Sequence, residues 1–292
     1  MSKIKSLTSR FKKLKPYLLT DKYYLATVFK HTFNRKVNFN DPLTLNEKLQ
    51  WLKINDRRDL LTRCSDKIAV RDYITDKIGS SFLIPLEGVF ERVEDITMES
   101  LPDYPFIIKA NHTSGTFKII RDKKNIDIVE LQKECQLWLR KNYYIRTKEW
   151  QYKNIKPKIL VEKLLLDEKG NIPSDLKFSC INGLVEMIHV DSNKEIKHLR
   201  NHYDSNWKHL NFRWPEEYFP GEITNKPDRL NELIELSEKL AVDFPFVRVD
   251  FYCLNDRIYF GELTFHPTSG FGKFYPEKYD YIYGRLLRVK YD

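Results

Sequence analysis

Two carboxylates in the C-terminal part of the chain have the type and spacing of a metal-binding pair. Asp250 and Glu262 lie in the segment 246–267, which reads FVRVDFYCLNDRIYFGELTFHP. Apolar and polar residues alternate on both sides of an Asn-Asp turn, and this period of two predicts an antiparallel hairpin. Magnesium in phosphoryl-transfer enzymes takes one or two carboxylates together with substrate phosphates. The hairpin therefore predicts either a magnesium site or, as the alternative, two solvated charges.

A lysine at the end of an apolar strand precedes a loop of small residues. The segment 105–121 reads PFIIKANHTSGTFKIIR, and its first strand ends on Lys109. Backbone N–H groups in such a loop can wrap phosphate oxygens, and the lysine adds a fixed positive charge. The loop fits neither the Walker nor the dinucleotide-binding glycine motif. It predicts a phosphate-binding flap, or else an ordinary hairpin loop with a lysine that reaches solvent.

A third candidate is a carboxylate inside an apolar strand. Glu162 interrupts the run PKILVEKLLL at 157–166, and a polar insertion separates this strand from the next one at 176–183. A buried carboxylate is costly without a hydrogen-bond donor. An adenine amino group or a ribose hydroxyl would serve as that donor; alternatively, Glu162 lies at a strand end and reaches solvent.

The order of these elements resembles the ATP-grasp superfamily, and six segments resemble the TupA-like ATP-grasp family of bacterial cell-surface polysaccharide synthesis. The resemblance extends over about residues 41–281. It implies an α/β (α+β) ATP-grasp fold, in which two α/β lobes grip ATP beside a mostly helical N-terminal region. The segments are 48–60 (KLQWLKINDRRDL), 65–74 (SDKIAVRDYI), 149–157 (EWQYKNIKP), 175–183 (DLKFSCING), 244–251 (FPFVRVDF) and 261–271 (GELTFHPTSGF).

The resemblance also implies a nucleotide site. Lys109 would contact the α- and β-phosphates, the loop after it would be the flap, and Glu162 with Lys163 would lie at the adenine hinge. The implied ATP-binding residues are Lys67, Lys109, Asn111, His112, Thr113, Ser114, Gly115, Thr116, Glu162, Lys163, Leu164 and Asp175.

A catalytic set and a metal set follow from the same resemblance. Lys109, Lys177 and Arg248 would be catalytic, and the planar guanidinium of Arg248 suits a carboxylate or an acyl phosphate. Asp250 and Glu262 would be the Mg²⁺ ligands. Thr264 stands where many ATP-grasp enzymes have an asparagine, and it offers one further oxygen.

The implied function is that of an ATP- and Mg²⁺-dependent carboxylate–amine ligase. A substrate carboxylate attacks the γ-phosphate, and an amine captures the resulting acyl phosphate as an amide. The implied substrates are a uronic acid of a capsule, O-antigen or teichuronic-type glycan and an amino acid or other amine. One alternative is a sugar-nucleotide-dependent glycosyltransferase of the same pathway, although the chain lacks a clear Asp-x-Asp motif. Another is a non-catalytic, ATP-grasp-like glycan-binding scaffold, which the single glycine of the flap and Thr264 favour.

Charge and composition indicate which kinds of molecule the chain would bind. The 292 residues include 50 Lys+Arg and 41 Asp+Glu, a net charge of +9, which suits an anionic glycan. No zinc-finger, KH or RNP pattern points to nucleic acid. The basic segment 1–16 (MSKIKSLTSRFKKLKP) has helical spacing and predicts either a helix on an anionic membrane surface or a helix or frayed tail on its own domain. With no apolar run long enough to cross a bilayer, we expect a cytoplasmic protein, with the inner face of the membrane as an alternative location.

The expected organisation has three parts: residues 1–80, mostly helical; 81–164, a lobe with the phosphate flap; and 165–292, a lobe with the metal site. Helices are expected at 45–53 after a Thr44–Glu47 capping box, from Asp66 to a stop at Gly79, at 128–140 with Asp127 as its cap, and at 227–240. The four cysteines read as reduced, buried hydrophobic residues. His112 and His266 are candidates for contacts with phosphate or substrate.

Overall fold

The computed structural model describes residues 16, 19–192 and 198–289. These residues form a mixed α/β structure with two antiparallel sheets. Apart from Pro16, the basic segment 1–16 lies outside the described residues. Among the residues that are described, no helix has both the length and the apolar character needed to cross a bilayer.

Four helices lie in the described part of the N-terminal region. They are α1 (Asp21–Phe33), α2 (Leu45–Asn55), α3 (Asp59–Ser65) and α4 (Val70–Ile78), followed by a 3₁₀ turn at Ser80–Phe82.

The sequence predicts a capping box, a helix start and a helix stop in this region, and one of the three is wrong. The capping box before α2 is confirmed, because the Thr44 hydroxyl accepts from the Glu47 N–H and the Glu47 carboxylate accepts from the Thr44 N–H. The expected stop of α4 at Gly79 is also confirmed, at φ 105°. The expected start at Asp66 is wrong: α4 begins at Val70, because the preceding residues turn toward the loop after Lys109.

The first sheet has four strands. They are β1 (Leu86–Phe90), β2 (Phe106–Ala110), β3 (Phe117–Ile120) and β4 (Ile159–Lys163), in the order β1-β4-β2-β3. Between β3 and β4 lie α5 (Ile128–Leu139), α6 (Tyr143–Thr147) and 3₁₀ turns at Lys123–Asn125 and Trp150–Tyr152; another 3₁₀ turn, Val93–Asp95, follows β1. Asp127 caps α5 as predicted, accepting from the Glu130 N–H at 3.0 Å.

Alternation along β2 and β4 gives the first sheet two different faces. Ile108 and Val161 point into an apolar core shared with α5. Lys109 and Glu162 lie on the opposite face, because each is one residue further along its strand. This face is directed toward the rest of the chain and carries the candidate phosphate lysine.

The second sheet has six strands. They are β5 (Asp175–Ile181), β6 (Leu184–Ser192), β7 (Leu199–Tyr203), β8 (His209–Leu210), β9 (Phe246–Leu254) and β10 (Arg257–Thr264), in the order β10-β9-β5-β6-β7-β8. The remaining elements are α7 (Leu230–Ala241), a 3₁₀ turn at Pro267–Gly270 and α8 (Lys278–Leu286). The helix predicted at 227–240 begins at Leu230, three residues after the predicted start, because Pro227 belongs to the turn that precedes it.

One face of the second sheet is apolar and the other is polar. Phe178, Val249 and Phe251 are fully buried against α7 and α4. The residues that alternate with them, including Lys177 and Asp250, point to the opposite side, which also carries Glu262. The sheet therefore gains stability from its apolar face while its polar face remains available for chemistry.

The β9–β10 hairpin confirms the strand and turn prediction. Asn255 and Asp256 both have positive φ (49° and 57°), as a two-residue hairpin turn requires. A bulge at Gly261 then shifts the register, so that Phe260 pairs with Phe251 but Glu262 pairs with Asp250. Glycine fits there because a Cβ would lie 3.0 Å from the Asp250 carbonyl oxygen. Without this bulge, the alternation would turn Glu262 toward the apolar core.

The cysteines are free, as expected of reduced thiols. Cys64, Cys135 and Cys180 are buried, and burial raises the pKa of the Cys64 and Cys135 thiols to about 12. The expectation of burial is wrong for Cys253, which is exposed because it lies near the tip of the hairpin, two residues before the turn.

A buried carboxylate joins α8 to α2. Asp280 accepts from the Asn46 N–H at 2.9 Å, and burial raises its pKa to about 6. Its contribution to stability is therefore fully present below about pH 4, the ordinary aspartate range, and is lost as the pH rises through about 6. Asp280→Asn should remove this fall in the free energy of unfolding between about pH 4 and pH 6. At pH 7 it should raise the free energy of unfolding by up to about 3 kcal/mol. Urea unfolding between pH 4 and 7 checks this, and parallel profiles for both proteins would contradict it.

Candidate active site

A pocket lies between the two sheets and the start of α4. Its polar lining comes from four parts of the chain: the α3–α4 junction with the start of α4, the first sheet, the 3₁₀ turn at Trp150–Tyr152 and the β9–β10 hairpin. Apolar side chains of Val70, Leu83, Ile84, Phe260 and Leu263 form other walls. The polar side chains are Lys67, Arg71, Lys109, Tyr152, Glu162 and Glu262.

Glu162 is held by two cations on one side of this pocket. Lys109 Nζ lies 2.5 Å from Glu162 Oε2, and an Arg71 guanidinium nitrogen lies 3.4 Å from Oε1. The prediction that this buried carboxylate needs a donor is therefore confirmed, but protein cations supply it, so a nucleotide group is not required. The strand register explains the contact, since Glu162 is opposite Ile107, two residues before Lys109 on the same face.

The loop after Lys109 is anchored by the α3–α4 junction. Asp66 Oδ1 accepts from Asn111 Nδ2 at 3.0 Å, and the Lys67 N–H donates to the Asn111 carbonyl at 3.3 Å. Lys67 Nζ reaches the carbonyl of Thr113 at 2.5 Å, and burial lowers the pKa of Lys67. Lys67 thus approaches the same pocket as Lys109, close to the loop.

The tip of the loop is open while its base is fixed. Ser114 and Gly115 are exposed, whereas Asn111, Thr113 and Thr116 are buried. Within the described parts of the chain, the backbone N–H groups of residues 112–115 donate to no assigned acceptor. Gly115 has φ 67° and open space around it, as a turning loop tip needs. These N–H groups can be offered to an anion.

His112 and His266 are tied to the protein. His112 Nδ1 lies 3.1 Å from Asn111 Oδ1, and its Nε2 lies 3.1 Å from the Lys141 carbonyl oxygen. Both ring nitrogens thus face protein oxygens, and a neutral ring donates to one of them, so the expected phosphate contact would have to come from the His112 backbone. His266 is buried, with Nδ1 3.0 Å from Gln151 Nε2.

The expected adenine hinge is only partly directed toward the pocket. The Lys163 side chain is exposed and lies near the Tyr104 ring, because alternation turns it to the opposite face from Glu162. Its N–H donates to the Pro85 carbonyl, and the Leu164 N–H donates to the Pro105 carbonyl. The Lys163 side chain is therefore not a pocket group in this conformation.

A charge cluster occupies the polar face of the second sheet. Arg248 makes a bidentate pair with Asp250, at 2.6 Å from Nε to Oδ1 and 2.7 Å from NH2 to Oδ2. Lys177 Nζ lies 2.9 Å from Asp250 Oδ2 and 2.5 Å from Asp175 Oδ2. Burial alone would lower the pKa of Lys177, but the two carboxylates raise it. Two cations and two anions are therefore balanced in a nearly dry site.

Glu262 and Thr264 extend this cluster to the pocket. Thr264 Oγ1 donates to Glu262 Oε1 at 2.7 Å and accepts from Arg248 NH2 at 3.0 Å. Desolvation would raise the pKa of Glu262, but the charges of Lys67 and Arg248 lower it below its usual value. Its side chain is 40% exposed, against 6% for Asp250. Glu262 is therefore an ionised carboxylate open to the pocket.

Asp250 and Glu262 have the arrangement that the implied Mg²⁺ needs. The register places Asp250 and Glu262 side by side, and two carboxylates are what Mg²⁺ takes where phosphates supply other ligands. The described residues contain no group of three or more His, Cys, Asp or Glu side chains that could hold a metal ion by themselves. The set fits an ion completed by phosphate and water. Glu262 is the accessible ligand, while both oxygens of Asp250 are already shared with Arg248 and Lys177.

Sequence reasoning missed three residues of this site. Asp66 anchors the flap, Arg71 pairs with Glu162, and Tyr152 lines the pocket near Glu262. Each lies in a segment that carries the family resemblance, 65–74 or 149–157. That shared signal could have identified them, whereas their partners depend on the fold.

Two antiparallel sheets thus enclose a pocket lined by lysines and carboxylates. A family model for TupA-like ATP-grasp proteins matches residues 47–288. The chain belongs to the TupA-like ATP-grasp family. The family and fold class predicted from the sequence are thereby confirmed. A comparison with curated proteins finds no match.

Several solved ligases have similar structures. D-alanine–D-alanine ligase from Bacillus anthracis is 18% identical over 70% of this chain and 58% of its own, with a TM-score of 0.43. The enzyme of the same name from Helicobacter pylori is 12% identical over 78% and 60%, with a TM-score of 0.41. The ATP-grasp ligase PsnB, complexed with its minimal precursor, is 12% identical over 75% and 59%, with a TM-score of 0.42. The chain spans somewhat more than half the length of these ligases.

Proposed function

We propose that this chain is an ATP- and Mg²⁺-dependent carboxylate–amine ligase that forms an amide through an acyl phosphate. The observation that carries the proposal is the convergence of Lys67, Lys109 and Glu262 on one pocket. Two of these groups bring positive charge for phosphates, and the third brings an accessible carboxylate for a cation. Phosphoryl transfer depends chiefly on positioning and charge stabilisation, which this arrangement can supply.

The nucleotide would lie in the pocket with its phosphates toward the lysines. Lys109 and Lys67 would bind phosphate oxygens, and the N–H groups of residues 112–115 would close over them. The apolar side chains of Leu83 and Ile84, which line another wall, suit an adenine ring. Glu262 with Asp250 and Thr264 would hold Mg²⁺, which neutralises phosphate charge when it is bound.

Lys109→Met should weaken ATP binding by about 1–3 kcal/mol, the value of a hydrogen bond to a charged group. Stability should change little, because Glu162 keeps Arg71 as an ion-pair partner. Calorimetry on the folded protein measures the affinity. Lys118→Met is the control, because Lys118 lies on β3 and pairs with Glu134 of α5. Unchanged ATP affinity in the Lys109 variant would contradict this role.

The donor carboxylate would lie beside the charge cluster on the second sheet. Arg248 is fixed by Asp250 and Thr264 at the side of Glu262, so it can orient a carboxylate and then an acyl phosphate. Lys177 would add charge from the neighbouring strand. Closure of the flap would exclude water, which protects an acyl phosphate from hydrolysis.

The proposed substrates are a uronic acid of a bacterial surface glycan and an amino acid or other amine. Family membership supports the polysaccharide context, and the net charge of +9 suits an anionic glycan. We also propose the division into residues 1–80, 81–164 and 165–292. It is supported by the positions of the two sheets, at 86–163 and 175–264.

A screen for ADP release tests the function. The protein with ATP and Mg²⁺ would be offered each amino acid together with glucuronic or galacturonic acid, free or in an oligosaccharide. We expect ADP release that requires both partners and yields an amide. Hydrolysis of a UDP-sugar without ADP release would favour a glycosyltransferase, and glycan binding without any turnover would favour a scaffold.

A further inference from the structure

Two buried polar side chains beside the charge cluster have no use in the chemistry described so far. Ser179 and His189 are each 1% exposed. No described residue gives a hydrogen-bond partner to Ser179 Oγ or to either ring nitrogen of His189. Buried polar groups are nearly always paired, because leaving one unpaired is costly. Three unpaired atoms in one place indicate that they bind something.

The sheet register places these side chains next to the charge cluster. Ser179 on β5 pairs with Arg248 on β9, and His189 on β6 pairs with Lys177 on β5. Paired residues of an antiparallel sheet point to the same face. Strands are about 4.8 Å apart, so His189 lies roughly 10 Å across the sheet from Asp250. Ser179 and His189 therefore lie on the same face of the sheet as Arg248, one strand and two strands away from it.

The surroundings determine what chemistry fits. Arg248 and Lys177 are neutralised by Asp250 and Asp175. On the far side, Asp191 is held by a bidentate pair with Arg200. Burial, helped by nearby positive charges, keeps the pKa of His189 well below its usual value, so its ring is neutral. Between these balanced ion pairs, the unpaired groups are neutral and both donate and accept hydrogen bonds.

We propose that Ser179 and His189 form the subsite for the sugar hydroxyls of the donor, with the donor carboxylate directed at Arg248. A hydroxyl both donates and accepts, so it matches a neutral imidazole and a serine hydroxyl better than an anion or an ammonium group does. The subsite would make the enzyme prefer uronic acids over carboxylates without hydroxyls, because its buried groups would otherwise stay unpaired. This inference rests on the proposed function.

The test compares binding with stability. Ser179→Ala and His189→Leu should weaken binding of glucuronic and galacturonic acid at least tenfold. Binding of cyclohexanecarboxylic acid, which keeps the carboxylate and a six-membered ring but has no hydroxyls, should stay the same, as should ATP affinity. Neither variant should lower the melting temperature, because each removes buried groups without partners. Ser237→Ala is the matched control: Ser237 is also fully buried, but it bonds to Leu233 in α7, on the apolar side of the sheet.

Failure of the subsite and failure of the function give different results. ADP release by the wild type with an unchanged KM for uronic acid in both variants would overturn the subsite and leave the ligase. Binding of uronic acid that both variants abolish, without ADP release under any condition, would uphold the subsite and contradict the ligase. Variants that are more stable but bind like the wild type would mean that these groups hold water only, and this also overturns the subsite.

Discussion

Arg248→Lys should lower amide formation by about a hundredfold to a thousandfold, the loss typical when one preorganised donor to developing charge is removed. Arg248 binds Asp250 with two nitrogens, and one of them also reaches Thr264. Lysine keeps the charge but has no planar fork, so it cannot hold this geometry and orient a carboxylate at the same time. The loss should appear mainly in kcat, with ATP affinity largely unchanged.

Single-turnover amide formation and ATP calorimetry on the same preparation separate these effects. Arg257→Lys is the matched control, since Arg257 begins β10 but is exposed and lies on no pocket wall. The control should keep wild-type turnover. If Arg248→Lys keeps turnover within about threefold of wild type, Arg248 does not grip the reacting group.

The two carboxylates of the hairpin should respond differently to neutralisation. Glu262→Gln should abolish ADP release and Mg²⁺-dependent ATP binding while the fold is retained, because Glu262 is partly exposed. Asp250→Asn should also abolish turnover, and in addition it should destabilise the protein by roughly 3–5 kcal/mol. It would leave Arg248 and Lys177 buried without their shared anion. The sequence-based alternative of two solvated charges is wrong for Asp250, whose side chain is only 6% exposed.

Urea unfolding and Mg²⁺ titrations with ATP distinguish the two variants. Asp256→Asn in the hairpin turn is a suitable control, because Asp256 is exposed and both residues tolerate positive φ. Equal stability losses in the Glu262 and Asp250 variants would contradict the unequal burial. Normal ADP release by Glu262→Gln would remove Glu262 from the metal site.

The local parts of this fold are predictable from sequence. The β9–β10 hairpin follows from a period of two and an Asn-Asp turn, and the cap of α5 follows from Asp127. The bulge at Gly261 was not foreseen, although it is what turns Glu262 toward Asp250. A bulge depends on how closely two strands approach, and a single sequence does not record this distance.

Long-range pairing limits the prediction of the site more than local structure does. Glu162 needs a donor by its position alone, but Arg71 meets it only because the fold brings the start of α4 next to β4. The sequence made the His112 side chain a candidate phosphate contact, yet its Nε2 lies against the carbonyl oxygen of Lys141, after α5. In both cases the residue type was informative, but the partner came from a distant part of the chain.

Oxygen transfer from the donor carboxylate is the most direct test of the acyl-phosphate mechanism. A uronic acid with heavy oxygen in its carboxyl group would be turned over with ATP, Mg²⁺ and the amine that the ADP screen identifies. Because the carboxylate attacks phosphorus, each phosphate released with amide should carry one heavy oxygen, as measured by mass spectrometry. Phosphate without the label alongside amide product would contradict the acyl-phosphate route, and with it the role assigned to Arg248.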